Sequence, residues 1–211
     1  TATPDFGYQF SGWTGDVTSS LNPVSIMMDG NKTVTATFTR LVLGYERVPF
    51  VAAYTPISIA GGAGTALVTA DDSTSTIPLP FNFVFSGIPF TTSNFVAVNA
   101  NGFAYLSRAS VLTSSTSLAS NSNLYGSSAP NGTLAPWYDD LSVGAVGSNP
   151  AGKVLYQTQG AAGSRKLTVQ WTNVSSYTNT TGGQPRLINF QLVLSETSNE
   201  IEFRYGGVTG P

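Results

Sequence analysis

The stretch of sequence best suited to chemistry places two aromatic side chains beside two adjacent carboxylates, in a turn that begins at a proline: Trp137, Tyr138, Asp139 and Asp140. Oxygen-rich turns bind Ca²⁺, and exposed Trp and Tyr rings stack on sugars. A structural interpretation is also open, in which Trp137 closes one end of a β-sandwich and an aspartate caps the turn by accepting backbone N–H groups. Asp139 and Asp140 are the candidate metal ligands, but Ca²⁺ takes about six to eight oxygens, which favours the structural interpretation.

A second acidic pair, Asp71 and Asp72, follows a glycine-rich run over residues 61–64 and could also hold a cation. Stretches of this composition are more often surface loops. The glycines do not predict a phosphate-binding loop, because no Gly-Lys-Ser/Thr motif follows them and no helix is predicted there. We expect no cofactor, apart from the alternative of a Ca²⁺ ion at an acidic turn.

Acid catalysis has one candidate pair, Glu200 and Glu202, which a strand would place on the same face about 7 Å apart, within the range of an inverting glycosidase. Arg204 comes next on that face, so an ion-paired, solvated row is favoured, and a general acid needs burial to raise its pKa. Lys166 is predicted to point outward, where nothing lowers its pKa for Ser–Lys catalysis. The chain has no His and no Cys, which excludes the commonest general base and thiol nucleophiles. We therefore expect no enzymatic activity.

The composition limits the partners as well. Charged residues make up only 9% of the chain, against about 25% in a typical domain, and the net charge is −2. No cluster of Lys or Arg could neutralise a row of phosphates, and no apolar run reaches the roughly 18 residues of a membrane span. We expect neither nucleic-acid binding nor membrane insertion.

The elements that position these residues are expected to be strands, because polarity comes from Ser, Thr, Asn and Gln rather than from the helix-favouring Glu, Lys and Arg. In the unit over residues 1–40, alternation over 33–38 predicts a half-buried strand, and the turn signal before it predicts a hairpin with 24–28 as partner. The unit contains the motifs GYQFSGWTGD (7–16), NP (22–23) and MDGNKTVTATF (28–38). These resemble the second half of a divergent InlB-type bacterial B-repeat. The resemblance implies a small extracellular β module from an array, with its first strands upstream.

A short, partly apolar linker over 41–47, expected to pack against its neighbours, leads to the unit over 48–211. That unit has short strands with one apolar face, at 81–85, 95–98, 102–106, 154–156, 166–171, 189–194 and 200–205. The last two flank a tight turn and should pair antiparallel. Such faces require a second sheet, so we predict an all-β fold: an antiparallel β-sandwich or jelly roll preceded by a small partial β-repeat module. The residues expected to face the core are Trp171, Phe190, Leu192, Ile201 and Phe203.

Five motifs follow one another in this unit: NANGFA (99–104), APWYDD (135–140), GKVLY (152–156), VQWTNV (169–174) and NFQLVL (189–194). Their order and rough spacing resemble the nidogen-like (NIDO) extracellular domain, over about residues 99–205. That family occurs in matrix, mucin-like and adhesive proteins, and the resemblance brings no catalytic residues with it. This chain departs from the family in having no cysteine and in following a bacterial repeat, so a distant bacterial relative is implied.

These observations predict a non-catalytic structural or adhesive module of a large secreted or cell-surface bacterial protein, as part of a fibre or matrix. The alternative is a carbohydrate-binding module, which a coplanar row of exposed aromatics would favour. The expected partners are other modules of the parent chain or neighbouring copies joined by strand addition, with surface glycans or matrix as further candidates. Because the pattern predicts strands without partners at both ends, we expect the isolated segment to be marginally folded or aggregation-prone.

Overall fold

The structure, a computed structural model, describes residues 1–5, 8–40, 45–51, 53–57, 64–68, 71–108, 132–143, 152–176 and 186–209. Part of the predicted linker, residues 41–44, and most of the glycine-rich run, residues 61–63, lie outside these ranges. Within them there is no helix, and hence none long and apolar enough to span a membrane. The predicted all-β class is confirmed.

The strands of the described residues are β1 (Tyr8–Gly15), β2 (Val34–Arg40), β3 (Thr65–Val68), β4 (Thr74–Pro78), β5 (Phe83–Phe85), β6 (Ile88–Phe90), β7 (Phe95–Asn99), β8 (Phe103–Ser107), β9 (Thr133–Leu134), β10 (Leu141–Ser142), β11 (Lys153–Gln159), β12 (Lys166–Ser176), β13 (Ile188–Ser195) and β14 (Ile201–Tyr205). The chain divides into two compact units, Thr1–Val48 with Phe85–Ile88, and Pro49–Val84 with Pro89–Pro211.

The first unit contains the antiparallel pair β1 and β2. Aromatic contacts hold the pair together, since the ring of Phe10 lies 5.3 Å from that of Trp13 and 6.1 Å from that of Phe38. The strand predicted over 33–38 is confirmed as β2, but the partner predicted over 24–28 is wrong, because that segment forms no strand. β1 is the partner instead: Phe10 lies opposite Phe38 in the ladder and packs on it, whereas Met27 and Met28 are largely exposed.

Two antiparallel sheets make up most of the second unit. The larger has the strand order β14-β13-β12-β11-β3, with β10 pairing with β12, and the smaller has the order β4-β7-β8-β9. The largest fully buried side chains include Trp171, Phe81, Phe83, Phe103 and Phe190. The indole N–H of Trp171, on β12, donates to the carbonyl of Asn99, on β7, at 3.0 Å. This bond joins the two layers of the predicted sandwich.

The predicted inward face is right for the central strands and wrong at the edge. Trp171, Phe190 and Leu192 are fully buried, as expected. Ile201 is only half-buried, and Phe203 is 37% exposed. Both lie on β14, which among the strands of the described residues has a neighbour on one side only, β13.

The opposite face of β12 and β13 was predicted to be solvated, and that prediction is also wrong for its two glutamines. Gln170 and Gln191 are each 1% exposed, because residues 55–57 cross this face. The Gln170 Oε1 atom accepts the backbone N–H of Ile57 at 2.7 Å, and Gln191 Nε2 donates to the carbonyl of Thr55 at 2.8 Å. The two amides also bond to each other at 2.7 Å, so the opposite face is covered at these two positions.

Candidate functional site

The turn between β7 and β8 positions the residues singled out in the sequence. Asn99 is buried there: its Oδ1 accepts the backbone N–H of Asn101 at 2.8 Å, and its Nδ2 donates to Thr74 Oγ1 at 2.7 Å. Gly102 follows with φ +78°, in the left-handed region that favours glycine. Its carbonyl accepts the N–H of Trp137 at 3.4 Å. The turn thus holds the start of the predicted site.

Asn101 connects the two acidic turns and is itself fully buried. Its Nδ2 donates to Asp72 Oδ1 at 2.9 Å, and its Oδ1 accepts the backbone N–H of Leu141 at 3.0 Å. Its carbonyl accepts the N–H of Asp139 at 3.4 Å. The structure therefore brings together two acidic turns that the sequence presented as separate candidates.

The carboxylates of these turns serve as caps for backbone groups. Asp71 Oδ1 accepts the N–H of Val143 at 3.2 Å, and Asp139 Oδ1 accepts the N–H of Asp140 at 2.9 Å. Burial, followed by the negative charges of Asp72, Asp71 and Asp139, raises the pKa of Asp140. Across the described ranges, no group of three or more His, Cys, Asp or Glu side chains is placed to hold a metal ion. The assignment of Asp139 and Asp140 as metal ligands stays a prediction.

Asp140→Asn should stabilise the protein slightly in a chelator. A carboxyl whose pKa is raised by folding destabilises the folded state when it is ionised. The neutral amide removes both the cost of burying the charge and the repulsion from the neighbouring carboxylates. We expect Tm to rise by about 1–2 °C at neutral pH, and the gain to disappear below the ordinary aspartate value of 3.8, where the carboxyl is protonated in both states. Thermal unfolding at the two pH values measures this. If the variant had a lower Tm than wild type in excess Ca²⁺, the turn would instead be shown to bind the ion.

The two aromatic residues of the site have different surroundings. Tyr138 is half-buried and meets Phe103 edge-to-face at 5.5 Å, against the core. Trp137 is 37% exposed and stacks on Phe190 at 6.2 Å, and Phe190 stacks in turn on Trp171 at 5.0 Å. A column of three rings thus runs from the core to the surface, and Trp137 is its outer member.

Of the two glutamates that the sequence offers as a catalytic pair, Glu202 lies in a network of ion pairs. Glu202 bonds to Lys166 Nζ at 2.7 Å and to Arg204 Nε at 2.9 Å. Burial raises the pKa of Glu202, but the hydrogen bonds from Lys166 and Arg204 outweigh it and leave the pKa below its ordinary value. Glu200 accepts a hydrogen bond from the Ser198 hydroxyl at 3.1 Å. A general acid needs the opposite shift, so the surroundings of Glu202 support the ion-paired interpretation.

Sequence analysis missed an ion pair at the end of the larger sheet. Arg165 meets Glu196 with two parallel bonds, Nη2 to Oε1 at 2.7 Å and Nε to Oε2 at 2.9 Å. The same carboxylate accepts the backbone N–H groups of Gly163 and Arg165, and the guanidinium lies 5.7 Å from the ring centre of Phe81. Phe81, Arg165 and Glu196 line an open groove of about 510 Å³. No local signal links Arg165 to Glu196, because only the β12–β13 register, Lys166 opposite Ser195, brings them together.

Glu196 should control stability in acid. The side-chain bond from Arg165 comes first among the causes that lower its pKa, from the ordinary 4.5 to about 2. A depressed carboxyl pKa contributes stability that is present above the unfolded-state value and is lost as the pH falls through the folded-state value. We therefore expect Glu196→Gln to lower Tm by several degrees above pH 4.5, and the difference from wild type to close as the pH falls towards about 2.

The control for this measurement is Glu200→Gln. It removes another carboxylate of the same hairpin, which accepts a hydrogen bond from a serine hydroxyl. Its effect on Tm should be smaller at every pH. Equal effects of the two variants would contradict the role given to the Arg165–Glu196 pair.

Two family models match the chain. The family model described as NIDO related matches residues 44–211, and the model described as divergent InlB B-repeat domain matches residues 1–41. Both are domain families of the extracellular type. No curated protein and no solved structure gives a significant match. Both resemblances seen in the sequence are confirmed, and because the first model covers most of the chain, this protein belongs to the NIDO-related family, with a divergent InlB B-repeat at its amino-terminal side.

Proposed function

We propose that this chain is a non-catalytic structural or adhesive module of a large secreted or cell-surface bacterial protein. The observation that supports it most is the tandem arrangement of two extracellular-type β modules in one chain. Modules with their own cores can be joined in series. Such a series holds a binding surface away from the cell that displays it.

The use of the polar site residues supports the same proposal. Asp71 and Asp139 cap backbone N–H groups, and Asn101 bonds to Asp72 and Leu141. Side chains engaged in this way stabilise turns. The site geometry therefore supports a role in holding the module's shape.

Retention under flow tests the proposal. Beads carrying the chain would be passed over matrix protein, polysaccharide and bare glass, and their detachment compared with beads carrying Trp171→Ala, whose core is disrupted. We expect the native chain to hold beads on at least one surface at shear that releases the control. Equal release on every surface would contradict adhesion. If the chain hydrolysed a polysaccharide and Glu200→Gln abolished that activity, the proposal that the module is non-catalytic would be contradicted.

Carbohydrate binding is the second candidate, and one observation favours it. Trp137 and Tyr205 are 37% and 54% exposed, and their ring centres lie 6.4 Å apart. The rings are inclined by 61°, so they do not form the coplanar row that would favour it most. Glycan binding that weakened at least about tenfold in Trp137→Ala, but not in the similarly exposed control Val84→Ala, would favour this candidate.

A further inference from the structure

The outer edge of β14 presents a row of backbone groups directed away from β13. Along its inner edge, Ser195 N–H donates to Glu200 O at 3.0 Å, and Gly206 N–H donates to Asn189 O at 2.7 Å. Backbone groups alternate between the two edges of an antiparallel strand. The residues whose N–H and C=O groups point outward are therefore Ile201, Phe203 and Tyr205. Within the described ranges, no strand pairs with this edge.

The side chains of β14 add apolar surface to that free edge. Phe203 is 37% exposed and Tyr205 is 54% exposed. Both lie on the face of β14 that continues the core-facing side of β13. Glu202 and Arg204 lie on the other face, held by their bonds to each other and to Lys166. An exposed apolar edge strand with unpaired backbone groups is a template for strand addition.

We propose that a second copy of this chain pairs with β14, antiparallel and centred on Phe203, so that the larger sheet continues across a twofold axis. The sequence Ile-Glu-Phe-Arg-Tyr is self-complementary in this arrangement. Phe203 faces its own copy, and Ile201 faces Tyr205, each with bonding groups directed at the partner. Glu202 lies opposite Arg204 on both sides of the axis, at the closely spaced positions of the ladder.

The alternation of backbone bonding groups and the positions of the charges together select this register. A shift by one residue places groups that are bonded to β13 opposite groups that need a partner, so the new ladder cannot form. A shift by two residues in one direction places Glu202 opposite its own copy, although it also brings Glu200 opposite Arg204, and a shift in the other direction places Arg204 opposite its own copy. Like charges directly opposite each other are destabilising. Charge complementarity therefore favours a second copy, in one register, as the occupant of this edge.

This inference goes beyond the proposed function and does not rest on it, because a monomer could adhere and a dimer could fail to adhere. Charge reversal tests it by sedimentation equilibrium over a wide concentration range. We expect wild type to dimerise, and E202R and R204E each to raise the dimer dissociation constant by about tenfold or more, since each creates two like-charge contacts. An equal mixture of E202R and R204E should restore the affinity, because opposite charges face each other again in the mixed dimer.

The mixing step separates pairing from folding, since a folding defect in one chain is not repaired by another chain. The absence of cysteine allows a second measurement. Residues at a bonded antiparallel pair have Cα atoms about 5.5 Å apart, within disulfide range, so F203C should form a covalent dimer on oxidation far faster than the exposed control V84C. A wild-type monomer at every concentration, single reversals without effect, a mixture that stays weak, or equal oxidation of F203C and V84C would each overturn the proposal.

Discussion

Trp171→Ala is expected to reduce the free energy of unfolding by about 3–5 kcal/mol, the range for removing a buried tryptophan. The side chain is fully buried, stacks on Phe190 with ring centres 5.0 Å apart, and donates its N–H to Asn99 O at 3.0 Å. The variant therefore leaves a cavity between the sheets and removes the hydrogen bond that joins them at Asn99. A domain with total stability of about 5–15 kcal/mol would lose a large share of it. Urea denaturation followed by circular dichroism measures the loss.

Trp171→Phe separates the two contributions. The phenyl ring keeps part of the stacking on Phe190 and removes the N–H group together with the second ring of the indole, for which we expect a loss of about 1–3 kcal/mol. If the two variants were equally destabilised, the hydrogen bond to Asn99 would outweigh packing, and the account of the core as a packed aromatic column would be wrong.

Gly102→Ala should be among the most damaging single-methyl additions in the chain. A Cβ atom on Gly102 would lie 1.8 Å from the carbonyl oxygen of Trp137 and 2.9 Å from its carbonyl carbon, and both atoms belong to the backbone. The residue also has φ +78°. The expected cost is about 3–5 kcal/mol, combining steric overlap with the left-handed conformation. Because the methyl group displaces the turn that carries Trp137, near-ultraviolet circular dichroism should change as well.

Gly163→Ala is the matched control for that variant. Gly163 has φ +90°, and no atom lies within 4 Å of a Cβ placed on it. It therefore reports the conformational cost alone, about 1–2 kcal/mol. Equal losses in the two variants would show that the close approach of Gly102 to Trp137 does not limit the fold.

The positions of most strands in the second unit could be predicted from the sequence because alternation is a local property. The apolar positions of β12 and β13 recur every second residue, and Trp171, Phe190 and Leu192 are buried as that period requires. The first unit shows where a local pattern is insufficient. The turn before β2 suggested 24–28 as its partner, because that segment is the nearest in the chain. The contact between Phe10 and Phe38 selects the more distant β1 instead.

The candidate site was located in the sequence, but its arrangement was not. The Trp137–Asp140 stretch was recognised by residue type, whereas its link to Asp72 depends on a buried amide, Asn101, at the end of a different hairpin. An asparagine in a turn is expected for its backbone conformation. Nothing in its neighbours shows that it bonds to two further loops, because those loops are distant in the chain.

By itself, the sequence determined the β class, the family of each unit, the positions of most strands and the absence of any histidine or cysteine side chain. Each of these depends on residue type or on a period of two. Only the tertiary structure decided that Gln170 and Gln191 are buried, that Arg165 meets Glu196, and that β14 ends the larger sheet with Phe203 exposed. The physical reason is that a strand's own residues set which side chains share a face, while burial depends on what a distant segment lays over that face.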